Sequence, residues 1–278
     1  MAFHAARVKS GFISARQHRG INHGATTMYP MAPLAGLQPP LYEKVRAFDS
    51  SDGNMRIFAP ISYSLVRRAQ IVPVVHIEAL NLAHWFPICW QIKDGPPTLV
   101  VLRTLRSDGS RQPVGSPETM ASLPLALRAY PFAVGYDDEK KDGAHLLECA
   151  VPDEPSDIGA PIMTPAGKAG PGARLKLQAL AAFNHALPLS RAMTDELARN
   201  NFFEGWPLEF DIGGERVTVP DLFVVQPGKF SSPKMFQFIQ RFGPAAATFL
   251  SAHRISLFRV GALVQSVRGA VTGAAMVQ

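Results

Sequence analysis

Residues 173–200 carry the strongest periodic signal in the chain. Leu175, Ala179, Ala182 and Ala186 recur at helical spacing, and Leu177, Leu180, Phe183 and Leu187 widen the stripe. A helix of this length has one broad apolar face and must bury it against another layer. Pro188 is expected to kink or split it, because the ring clashes with the preceding turn and removes an N–H. Thr194 then serves as the cap of a resumed segment. Short apolar runs of strand length precede the helix; a hairpin and further helices follow it. That order is an α+β pattern, without regular βαβ alternation. The expectation is one α+β domain, an antiparallel or mixed sheet with a long central helix and C-terminal helices.

The strands read from composition and punctuation. Residues 57–63, 71–76, 86–92 and 98–103 are apolar or β-branched runs, and Pro73 places the second at a sheet edge. Residues 119–129 suit a short helix that ends before Pro131. Residues 132–137 and 144–150 form a strand–turn–strand unit, with Phe132, Val134 and Tyr136 expected on one face and Ala133 and Gly135 opposite. Residues 152–171, rich in proline and glycine, mark a long surface loop. Residues 208–212 and 215–219 make a hairpin around Gly213-Gly214, and 222–225 adds a strand. Residues 233–242 and 245–265 are expected to be helices separated by Gly243-Pro244.

With 47% apolar and 18% charged residues, the 278-residue chain has material for a sizeable core. The net charge of +6 invites a nucleic-acid reading. Its distribution argues against one. Residues 1–27 hold Arg7, Lys9, Arg16 and Arg19 and no acid, leaving +2 for the remaining 251 residues. Nucleic-acid affinity needs a concentrated basic face on the folded body. Residues 1–27 lack both an apolar signal-peptide run and any period, so they are expected to be a disordered basic extension, with the folded domain in 28–278. The most apolar stretch, 244–264, is interrupted by His253, Arg254 and Arg259 and does not suit a membrane span. Cys89 and Cys149 each sit in apolar runs. Buried free thiols and a reducing, cytoplasmic setting are the expectation.

Three blocks of residues act together. They are Phe58-Ala59 with Pro73, Glu78 and Phe86-Pro87-Ile88; Tyr130-Pro131-Phe132 through Cys149 and the acidic PDEPSDIG loop; and the 208–225 hairpin with the helix from Ser256 to Leu263. Trp206-Pro207 fits the same pattern. In these blocks, over roughly residues 40–265, the chain resembles the SapC family, named for a locus tied to surface-layer protein secretion. The resemblance implies an association with surface-layer or envelope export. Genes of this kind also sit beside oxygenase-like and outer-membrane receptor genes. It supplies no catalytic residues.

Candidate chemistry comes from three places. His76 and Glu78 would share one face of an extended strand, and His84 or His145 would complete a two-histidine, one-carboxylate metal set. The plainer account is a backbone-bonded histidine and a glutamate capping the next helix. Asp153, Glu154 and Asp157, beside Asp137 and Asp138, offer hard-cation ligands or, with Trp206, a partner-binding surface; a solvated acidic loop is the simpler account. Cys149 and His145 share a strand face but lie about 13 Å apart along it, too far for a nucleophilic pair. No GxSxG, P-loop, GxGxxG or HExxH occurs, so no cofactor is assigned. The leading expectation is a soluble accessory protein that binds a protein or peptide partner in an envelope or surface-layer secretion pathway. The alternative is a metal-dependent oxygenase-type or peptide-modifying enzyme built on His76, Glu78 and His145.

Overall fold

Proline and glycine set many of the boundaries in the computed structural model, which describes residues 41–42, 45–48, 50–93, 95–106, 122–134, 146–148, 158–212 and 214–275. In chain order the elements are β1 (Val45–Ala47), β2 (Arg56–Ile57), α1 (Ser64–Arg68), β3 (Ile71–Pro73), α2 (Ala79–Leu82), β4 (Ile88–Gln91) and β5 (Thr98–Leu102). They continue with α3 (Leu125–Ala129), β6 (Leu146–Glu148), β7 (Ala160–Pro161) and α4 (Pro171–Arg199). Then come β8 (Phe203–Gly205), β9 (Leu208–Ile212), β10 (Glu215–Val219) and β11 (Leu222–Val225). Three helices close the fold: α5 (Pro233–Phe242), α6 (Pro244–Ser256) and α7 (Val260–Ala275).

Prolines open α4, α5 and α6, where the missing N–H would have no partner in any case. Ser232 caps α5, its Oγ accepting the Met235 N–H. Gly243, at φ +70°, turns the chain between α5 and α6. Of the two effects expected of Pro188, the split does not occur, because α4 runs unbroken for 29 residues. Buried Phe183 and Ala186 before it and Met193 and Leu197 after it hold both halves on the core, offsetting the lost backbone bond. Thr194 is therefore no cap but a buried mid-helix residue. The buried stripe also differs from the expected one: Leu175 lies outside it, and Lys176 lies within it.

The largest sheet has the order β3-β5-β4-β11-β8, with every neighbour antiparallel. Pro73 lies on an edge strand, as expected. Successive strand residues face opposite sides, yet all four residues of β4 are buried, as are Leu99 to Leu102 of β5. Both faces of the sheet centre are therefore covered, which explains why these strands read as continuous apolar runs. The hairpin β9–β10 has the expected limits, with Leu208 opposite Val219. Together with the helices this is an α+β fold.

Several strands are shorter than their sequence suggests. The run 57–63 stops at Ile57 because Pro60 starts a 3-10 turn over Pro60–Ser62. The run 71–76 stops at Pro73, and His76–Glu78 forms another 3-10 turn. The helix expected at 119–129 is the five-residue α3, with Tyr130 extended before Pro131. Phe132 makes a single bridge to Leu147. Phe132, Ala133 and Val134 are all buried, so the alternating exposure expected there is absent. Residues 1–27, Tyr136 and Cys149 lie outside the described residues. No described helix is long and apolar enough to cross a membrane.

Candidate functional site

The first candidates are His76 and Glu78. They sit in a 3-10 turn and not on a strand, so no pleat presents them together. The Ser190 Oγ, on α4, accepts the His76 backbone N–H at 2.9 Å and lies 2.8 Å from His76 Nδ1. It donates to the Ala186 carbonyl at 3.0 Å. With its proton directed there, the hydroxyl is left to accept from Nδ1–H, the tautomer this network assigns. Ser190 thus splices the turn to the long helix. Both Glu78 oxygens accept backbone N–H groups, Oε1 from Leu125 at 2.6 Å and Oε2 from Val75 at 3.1 Å. The carboxyl holds the first turn of α3. Burial pushes it up to about 7, against the pull of these N–H groups and of Arg128.

His84 is exposed, its Nδ1 against the Leu80 carbonyl of its own turn. His145, Asp153, Glu154, Asp157, Asp137 and Asp138 lie outside the described residues. Among the described residues no group of three or more His, Cys, Asp or Glu side chains is placed to hold a metal ion. Trp206 is half-buried and packs on the core, its backbone N–H donating to the Leu222 carbonyl. Cys89 is a buried free thiol, pushed up by burial.

The sequence reading passed over His253, the most fully engaged histidine described. Leu222 pairs with Gln91 and Phe223 with Trp90. Continuing that register puts Val225 opposite Ile88. The His253 imidazole stands between them: Nδ1 lies 2.8 Å from the Ile88 carbonyl and Nε2 accepts the Val225 N–H at 3.3 Å. The Ile88 N–H donates to Ser256 Oγ at 2.9 Å. Two polar side chains of α6 thereby replace ladder bonds of the sheet.

Burial lowers the His253 pKa from 6.5 to about 4. As pH falls from 6.5 to 4 the unfolded chain takes up the proton first, so stability falls with acidification, by about 3 kcal/mol at most. Glu78 acts oppositely. The folded state keeps a proton that the unfolded chain releases, so its contribution falls as pH rises from 4.5 to 7. The two slopes offset between pH 4.5 and 6.5. Glu78→Gln should therefore expose a steeper loss of urea-denaturation midpoint on acidification than the wild type shows. Equal slopes for the two proteins would contradict these assignments.

A surface groove of about 450 Å³ lies between α2 and α6. Its lining includes Leu80, Ala83 and His84 from one side and Thr248, Ile255 and Arg259 from the other. α6 buries Ala246, Phe249, Leu250, His253 and Ser256. Its outward stripe carries Thr248, Ser251 and Ile255 and continues to Phe258 and Arg259. Two large apolar side chains of the lining are left in solvent, Leu80 and Ile255, at 59 and 63% exposure, and their chain neighbours Ile77 and Phe258 are exposed as well. Scattered apolar residues are ordinary on a surface, but exposed apolar side chains lining a concavity, here Leu80 and Ile255, mark an interaction site. Arg259 lines it. Among the described residues the lining has no acidic side chain. From Leu222 to the C-terminus the sequence holds six Lys or Arg and no Asp or Glu. The available signal was a helix with bulky apolar residues on both faces, inside an acid-free basic stretch.

Residues 51–262 match the model of the SapC family. No curated protein and no solved structure matches the chain.

Proposed function

Because the chain belongs to the SapC family, we propose that it is an accessory protein that binds a protein or peptide partner in a surface-layer or envelope export pathway, on the cytoplasmic side. The observation that carries this reading is the α2–α6 groove, with exposed Leu80 and Ile255 and no acid among its described lining residues. Its chemistry suits an apolar segment flanked by carboxylates. The apolar residues would fill the concavity beside Leu80 and Ile255, and the carboxylates would meet Arg259. Buried apolar anchors supply most of the binding energy, and rim charges supply orientation and rate.

A photo-crosslinking residue at Thr248, used in the native cell, tests the reading. One envelope, export or neighbouring-gene product should be captured there, and none from the same residue placed at exposed Glu204. Ile255→Glu should weaken the purified complex at least tenfold, the loss typical of an interface anchor. Its melting temperature should hardly change, because Ile255 is already in solvent. Capture of no such product, or unchanged affinity for Ile255→Glu, would count against the groove.

A further inference from the structure

A second groove, of about 480 Å³, opens on another part of the fold, between β2, residues 158–160 and the first turns of α4. Its walls are hydrocarbon, chiefly Phe58, Ile158 and Leu175. Gly159, at φ +67°, lies so near Phe58 that an added Cβ would meet the ring at 2.7 Å, so ring and backbone together form one closed wall. At Gly172 an added Cβ would sit in ordinary van der Waals contact with the Ala160 Cβ at 3.9 Å, so a side chain can be added to the floor there without a clash at its Cβ.

Among the described residues, the polar side chains lining this groove are two cations, Arg128 and Lys176; no described hydroxyl, amide or carboxylate side chain joins them. Lys176 is buried, its Nζ donating to the Tyr130 carbonyl at 2.6 Å and lying 5.8 Å from the Tyr63 ring centroid. It contributes positive potential from beneath the floor. Arg128 is exposed; its backbone N–H donates to the Pro124 carbonyl, while its guanidinium makes no hydrogen bond or ion pair with a described residue. It acts at longer range on the carboxyl of buried Glu78. An occupant therefore meets hydrocarbon along its length and positive charge at one place. A peptide would bring an N–H and a C=O with every residue, and the lining side chains offer no matching set of partners.

We infer that this groove binds a single-chain amphiphile with a carboxylate head, the head at Arg128 and the chain along Phe58, Ile158 and Leu175. The volume falls in the range of small-molecule sites, which are apolar clefts with a few polar groups that set orientation. A guanidinium is suited to a carboxylate through paired, charge-assisted hydrogen bonds.

Calorimetry on the full chain, with decanoate and decanol below micelle-forming concentrations, tests the inference. Decanoate should bind at least tenfold more tightly than decanol, and Arg128→Gln should remove most of that difference. Gly172→Phe, which fills the floor, should weaken both ligands at least tenfold. Leu175→Asp places an anion beside the chain path at a position 68% exposed, so folding is spared and decanoate binding should fall. Decanoate binding no tighter than decanol, or unchanged by both Arg128→Gln and Leu175→Asp, would overturn the inference. Ile255→Glu should bind decanoate as the wild type does, so failure here leaves the partner-binding groove untouched.

Discussion

Trp90→Ala is expected to lower the unfolding free energy by about 3–5 kcal/mol, the range for truncating a fully buried large aromatic residue. Trp90 is wholly buried at the centre of the sheet. Its indole N–H donates to Thr194 Oγ1 at 3.1 Å, which ties β4 to the long helix α4. Its ring centroid lies 4.7 Å from Phe203, 5.8 Å from Phe249 and 4.9 Å from His253. One side chain thus joins the sheet, α4 and α6, and its removal leaves a cavity that none of the three can close alone. Trp90→Phe keeps most of the packing and loses the hydrogen bond, so it should cost distinctly less, about 1–2 kcal/mol. Chemical denaturation of the two variants would show the difference as separate midpoints. A loss below about 1 kcal/mol for Trp90→Ala would mean that the core does not depend on this junction.

Phe132→Ala should cost a comparable amount, about 3–5 kcal/mol. Phe132 is 1% exposed. Its N–H donates to the Ala129 carbonyl, closing the end of α3, and Pro131 offers its carbonyl to the Glu148 N–H. The Tyr42 hydroxyl accepts the Val134 N–H at 3.1 Å. Tyr130, immediately before the proline, packs edge-on against Tyr63 at 5.0 Å and stacks with Tyr42 at 6.1 Å. The aromatic-Pro-aromatic step therefore joins α3, β6 and the N-terminal aromatic cluster from inside. Solvent has no access to Phe132, so the step is a core device and not a recognition feature. A measured cost under about 0.5 kcal/mol, typical of surface positions, would reverse that assignment.

Much of the architecture was legible before any coordinates. The hairpin limits followed from alternation and a glycine pair, β4 and β5 from their apolar runs, and α4 from its helical period. The end of α3 followed from the steric effect of Pro131 on Tyr130. These features depend on nearest neighbours, and nearest neighbours are what a sequence displays. That α4 continues through Pro188 was hidden for the same reason: the proline's local cost is real, but burial on either side of it is a long-range gain that the sequence does not show.

The candidate sites were less legible. His76 and Glu78 look alike as metal ligands in the sequence, but the fold gives His76 to Ser190, 114 positions later, and Glu78 to Leu125, 47 positions later. His253 looked like a polar interruption of an apolar helix, yet it bridges residues 165 and 28 positions away. Ile255 and Phe258 lie in a stretch expected to be helical, and which of its apolar side chains stay in solvent follows from the face the helix buries. Local propensity and pattern determined the kinds of elements and many of their limits. Only tertiary packing decided which polar atoms meet and which apolar side chains stay in water, because those outcomes depend on pairs of residues brought together across long stretches of chain.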